Sequence, residues 1–248
     1  MLSVLIQTWT IMIQSQRPGL LEPNYKGIRL FLDTADTQQW QRWLPTGLFY
    51  GVTTNPLLLE QDQVACSVSH LKALASQALA LKAKEVQIQT WGITVDSLVK
   101  TGKLLAAIDE RVVVKVPITK IGTEAASKLI AEGIRVTLTG VYAIHQVLIA
   151  AALGADYVAP YLGRINDLGR NGREDLVAMQ RGIVGVSSAT RILVASIRSV
   201  DDIALLATHG LNTFTFSPLV AAAFFEVTAT NQAASDFEQA ARRLEPNR

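Results

Sequence analysis

Val112-Val113-Val114-Lys115-Val116-Pro117 sets a lysine inside an apolar run. The run reads as a buried strand of a parallel sheet, covered on both faces. An ammonium there is costly unless paired, and the usual relief is a lowered pKa. A neutral amine in a dry pocket attacks carbonyl carbon, which makes Lys115 a Schiff-base candidate. The alternative is a snorkelling lysine, its stem buried and its head wet. Other residues at the ends of apolar runs supply complementary chemistry. Asp33 can take or return a proton at a substrate hydroxyl. Thr53 and Asn55 can hold hydroxyls or a carbonyl oxygen. Gln89 and Thr139 can pin a water near an imine carbon. Tyr161 can donate or accept a proton if a neighbouring cation depresses its phenol. Each also has an ordinary use: Asp33 as a helix cap, Asn55-Pro56 as a turn, Tyr161 as a half-buried aromatic.

Two further segments suit a phosphate. Gly163 to Arg173 (GRINDLGRNGR) is a long, polar, Arg-rich stretch beginning with Gly163-Arg164. Ser196-Ile197-Arg198-Ser199 opens a helical pattern, with Ser199 as the N-cap and Asp202 three residues on. A hydroxyl, a guanidinium and backbone N–H groups at a helix N-terminus form an anion cradle, so Arg164, Ser196 and Arg198 are the phosphate candidates. Arg170 and Arg173 read better as a solvated loop.

These residues recur at one place in a repeating pattern. A short apolar run ends in a polar residue, and an amphipathic stretch follows. The runs are 28–33, 48–55, 85–90, 111–116, 134–139, 155–160, 191–196 and 211–216. Stretches such as 71–84 and 124–132 lie between them, and Gly133 and Gly210 punctuate the joins. Eight strands alternating with helices predict a parallel α/β fold closed into a (β/α)8 (TIM) barrel. A doubly wound open sheet is the runner-up, but no G-x-G-x-x-G follows an early strand. In such barrels the chemistry sits where strands end, which is where the polar residues above fall.

Composition bounds the partners. Of 248 residues 49% are apolar and 18% charged, which excludes a disordered chain. Twenty-three Lys+Arg against 21 Asp+Glu leave a formal charge of +2, so no nucleic acid and no membrane partner is expected through bulk charge. One cysteine, Cys66, forms no intrachain disulfide and no Cys-rich zinc site, and His70, His145 and His209 are too scattered for a His-built metal site. No apolar run reaches the roughly 18 residues of a membrane span. The first 16 residues carry no Lys or Arg and are broken by Gln and Thr, unlike a secretory signal. A cytoplasmic location is expected. Leu2, Leu5, Ile6, Trp9, Met12 and Ile13 share a helical face, so 1–27 reads as an N-terminal extension and 28–248 as the barrel domain with a C-terminal helix. Ala221–Phe225 is an apolar run suited to subunit contacts in a homo-oligomer.

LFLDTAD (31–36 with its preceding leucine), GVTTNP (51–56), VVVKVPIT (112–119), YVAPYLGRI (157–165) and LVASIRS (193–199), in this order, resemble the transaldolase family, which includes the small fructose-6-phosphate aldolases. The resemblance runs from Ile28 to about Val220. It implies a (β/α)8 barrel and a class I mechanism without metal or nicotinamide cofactor: a lysine forms a Schiff base with a ketose phosphate and the C3–C4 bond is cleaved. It carries the Schiff-base role to Lys115, acid/base work to Asp33, hydroxyl contacts to Thr53 and Asn55, water-binding to Gln89 and Thr139, and phosphate contacts to Arg164, Ser196 and Arg198. Gln89 and Tyr161 resemble the fructose-6-phosphate aldolases, where transaldolases typically have Glu and Phe. Arg198 resembles the transaldolases. The N-terminal extension, Gly140 and the stretch 217–227 depart from both.

The expected activity is cleavage of fructose 6-phosphate to dihydroxyacetone and glyceraldehyde 3-phosphate, with Tyr161 protonating the enamine. The alternatives are a transaldolase of the pentose phosphate pathway and a non-catalytic sugar-phosphate-binding barrel. A deoxyribose-phosphate-type aldolase is disfavoured, because the seventh strand end offers Arg198 in place of a second lysine.

Overall fold

The computed structural model describes residues 27–244; the extension expected over 1–27 lies outside them except for Gly27. The chain runs β1 (Arg29–Asp33), α1 (Thr37–Trp43), a 3-10 turn (Leu44–Thr46), β2 (Gly51–Thr53), α2 (Pro56–Gln61), α3 (Val68–Ala80), β3 (Glu85–Gln89) and α4 (Val95–Ala106). It continues through β4 (Val112–Pro117), α5 (Lys120–Ala131), β5 (Val136–Val141), α6 (Gln146–Leu153), β6 (Tyr157–Pro160), α7 (Leu162–Asp167) and α8 (Gly172–Gly185). It closes with β7 (Arg191–Val194), α9 (Val200–Thr208), β8 (Thr213–Phe216), α10 (Pro218–Ala223) and α11 (Thr228–Leu244). The strands form a closed parallel barrel in sequence order, with β8 returning to β1.

Alternation along each strand sorts the side chains into two cores. Leu30, Leu32, Val86, Ile88, Val112, Val114, Val116, Val136 and Leu138 face outward and pack under the helices. Phe31, Val113, Tyr157, Ala159 and Leu193 fill the barrel interior. Below this plug, at the strand starts, a buried polar group closes the barrel. Arg29 and Glu85 both bond the Tyr157 hydroxyl, and Arg135 bridges Glu85 (2.7 Å) and Asp156 (3.0 Å). Above it, at the strand ends, lie Asp33, Gln89 and Lys115. Because Gln89 is in register with Lys115, the two share the inward face.

One expectation is corrected. The 163–173 stretch is no simple loop. Its first part is α7, whose first amides are held by the carbonyls of Ala195 and Ser196, both 2.9 Å. This requires a glycine, since a Cβ on Gly163 would come within 2.5 Å of the Ser196 oxygen. The run Ala221–Phe225 packs in part on the protein's own barrel: Ala221 is fully buried and Phe224 stacks on Phe216, while Phe225 stacks on Trp43 and stays 55% exposed. α11 buries none of its side chains and exposes Phe237 and Leu244. No helix among the described residues is long and apolar enough to cross a membrane.

Candidate active site

Lys115 lies two residues beyond Val113 of the apolar plug, on the same inward face, and is only 4% exposed. It opens into a cavity of about 460 Å³ at the strand ends, shared with Asp33, Asn55, Gln89, Tyr142, Tyr161, Arg164 and Ser196. A larger cavity, about 840 Å³, lies at the opposite end around Arg29, Arg135 and Arg191. It holds no nucleophile or general base comparable to the Lys115–Asp33 pair, and its Arg135 is already matched to two carboxylates. The smaller cavity is therefore the candidate site.

Burial lowers the pKa of Lys115, opposed by the charge of Asp33. Burial raises the pKa of Asp33, opposed by Lys115 and by the Thr53 hydrogen bond. Burial thus favours the neutral form of both groups at one cavity, which suits a nucleophilic amine beside a carboxyl able to exchange protons. Asp33 is free for this because Asp36, three residues on, caps α1 by accepting from the Gln38 amide at 2.8 Å. The turn between them is braced by Asp62, which accepts from the Thr34 hydroxyl (2.9 Å) and the Ala35 amide (2.7 Å).

Asn55 serves two ends. Its Oδ1 accepts from the Leu57 and Leu58 amides and so caps α2, while the residue lines the cavity. Gln89 lines it from β3, and Thr139 bonds the Tyr161 hydroxyl at 2.7 Å. Tyr161 leaves β6 through a single bridge to Ala195. Burial raises the pKa of its phenol, with Asp33 adding to the rise against Thr139 and Arg164, the reverse of the depression expected from a neighbouring cation. Ser196 lines the cavity with φ of +57°, a conformation uncommon outside glycine.

Thr53 and Arg198 are absent from the cavity lining. Thr53 is fully buried behind Asp33, donating to its carboxylate at 2.6 Å and meeting the Thr215 hydroxyl at 2.5 Å. It supports the Asp33 carboxylate and does not line the cavity. Arg198 forms a two-pronged ion pair with Asp167 (2.7 and 2.6 Å) over α7, outside the cavity lining. Arg164 is the guanidinium that lines it. The Ser199 cap is present, accepting from the Asp201 amide, but Asp202 pairs with Arg173 instead of reaching back to it. Arg170 and Arg173 are ion-paired to Asp175 and Asp202.

Residue-type reasoning missed Tyr142, Thr215 and Asp62. Thr215 lies on β8, from which no site residue was expected, and its only sequence signal is the inward parity of TFTF. Among the described residues there is no group of three or more His, Cys, Asp or Glu able to hold a metal ion.

Comparison with known proteins bears on what this constellation serves. The family model described as Transaldolase/Fructose-6-phosphate aldolase matches residues 30–247. Probable transaldolases of Hyphomonas neptunium and Phenylobacterium zucineum are each 34% identical to the chain. The first match covers 78% of this chain and 87% of that protein, the second 85% and 94%. A thiamine phosphate pyrophosphorylase from Pyrococcus furiosus superposes with a TM-score of 0.56 at 15% identity, covering 78% of this chain and 88% of that one, a likeness of fold alone. The chain belongs to the transaldolase/fructose-6-phosphate aldolase family.

Proposed function

We propose that the protein is a class I aldolase that cleaves or forms the C3–C4 bond of a ketose phosphate, with fructose 6-phosphate as the donor. The observation that carries this reading is a lysine amine, 4% exposed and with a lowered pKa, opening into a cavity beside Asp33. Lys115 attacks the C2 carbonyl, and loss of water leaves an iminium. Asp33 takes the C4 hydroxyl proton as C3–C4 breaks, releasing glyceraldehyde 3-phosphate and leaving an enamine on Lys115. Arg164 meets the phosphate. Tyr161 donates its proton to the enamine carbon and regains one from Asp33 through water in the site. A water held by Gln89 and Thr139 then hydrolyses the iminium, which frees dihydroxyacetone and the amine.

Gln89 and Tyr161 favour release over transfer. An amide exchanges no proton at neutral pH, whereas a protonated phenol bonded to Thr139 can. The names of the relatives favour a second reading, a transaldolase that hands the enamine to an aldose phosphate. A product assay separates them. The first reading expects free dihydroxyacetone from fructose 6-phosphate without an acceptor, and a Tyr161→Phe protein that loses this release more than it loses transfer to erythrose 4-phosphate. Transfer without any release in the parent protein would establish the second.

Assembly into a homo-oligomer in the cytoplasm belongs to the same proposal. It is supported by α11, which carries Phe237 and Leu244 exposed. A solution mass equal to the 26.9 kDa of one chain would remove it.

A further inference from the structure

β5 departs from regular pairing just where it reaches the site. Thr139 is opposite Ala159, but Val141 is opposite Pro160, so β5 carries one extra residue. That residue is Gly140, with φ of +76°, where a side chain would be strained. The bulge reverses the inward–outward parity that follows it. Val141, which regular alternation would turn inward with Thr137 and Thr139, packs instead in the outer core. Tyr142 is thereby brought to the cavity.

Its backbone is held on both sides. The Tyr142 and Ala143 amides donate to Gln146 Oε1 at 2.8 and 3.0 Å, and Arg170, itself paired to Asp175, donates to the Tyr142 carbonyl. With the backbone fixed, the ring stands edge-on to Tyr161, centroids 5.5 Å apart. Its hydroxyl accepts from Arg164 Nη1 at 3.4 Å, while the same guanidinium lies over the Tyr161 ring, 5.1 Å from its centroid. Arg164 is otherwise exposed. A long side chain held in place before binding loses less freedom when an anion engages it.

We propose that Tyr142 is a positioning residue that holds Arg164 over Tyr161 for the phosphate group of the substrate. This rests on the reading above that Arg164 meets a phosphate. The bulge at Gly140 is the backbone device that makes it available.

The test uses glycerol 3-phosphate, which carries no carbonyl and forms no Schiff base, with affinity measured by calorimetry on the full chain. Arg164→Ala weakens binding by about 10- to 100-fold, the loss of a charge-assisted contact. Tyr142→Phe keeps the aromatic contact, removes the acceptor, and weakens binding by about 3- to 10-fold. In the Arg164→Ala background Tyr142→Phe has no further effect, a non-additivity that a general packing role would not produce. Parent affinity in Tyr142→Phe, or the same loss in both backgrounds, overturns the proposal. Parent affinity in Arg164→Ala, or no binding by the parent, overturns the assignment of Arg164 itself and the proposal with it. Lys115 plays no part in this measurement, so failure of the Schiff-base reading shows separately as absence of borohydride trapping.

Discussion

Lys115→Met is expected to fold and to lose turnover by several orders of magnitude, because no other group replaces a covalent nucleophile. Borohydride added with a ketose donor should trap the parent protein as a secondary amine at Lys115, located by peptide mass mapping. Trapping at a different lysine, or none with several ketoses, would sink the Schiff-base assignment. The stability change has a definite sign. Burial lowers the lysine's folded-state pKa. Between that value and the unfolded-chain value of about 10.4, the unfolded chain binds more protons than the native one. Lys115 therefore weakens the fold at neutral pH, and this cost fades as pH rises toward about 10.4. Lys115→Met should unfold at higher denaturant concentration than the parent at pH 7, with the gap narrowing in alkali. A gap that widens with pH would contradict a depressed, buried amine.

Asp33→Asn should lower kcat/KM for cleavage by roughly 10²- to 10⁴-fold, the usual cost of removing one acid/base group. An amide cannot accept the C4 hydroxyl proton. The same substitution has an opposite consequence for the lysine. The Asp33 charge raises the Lys115 pKa against burial, so without it burial acts unopposed. Trapping of Lys115, which needs the neutral amine, should extend to lower pH in Asp33→Asn even as cleavage is lost. In the parent protein, the acid limb of cleavage should lie above the ordinary aspartate value of about 3.9, because burial raises the Asp33 pKa and the carboxylate is the active form. The trapping rate against pH in both proteins is the measurement. An acid limb that stays in place or moves upward in Asp33→Asn would mean that the two residues are not coupled.

The sequence by itself determined the eight strands and their alternation with helices, because apolar runs and turn residues are local in the chain, while closure, expected over an open sheet, came from the pairing of β8 with β1. Lys115, Asp33, Asn55, Gln89, Tyr161, Arg164 and Ser196 were legible as one group because strand ends in a parallel barrel converge on one face. The tertiary structure decided what lies between them. Thr53 has the residue type of a ligand to hydroxyls, yet the closure of β8 against β1 sets Thr215 beside it, behind Asp33. Arg198 and Asp167 are 31 residues apart, and only the approach of α7 to the end of β7 makes them partners. Tyr161 is three residues from the cation Arg164, but desolvation outweighs that charge and the pKa rises. Gly140 was visible as an oddity, while its effect, turning Tyr142 into the cavity, depends on register with β6. Residue type and period specify which face a side chain takes. Which group it meets there is set by pairing across the barrel and by competition among charges distant in the chain, and neither is written in local pattern.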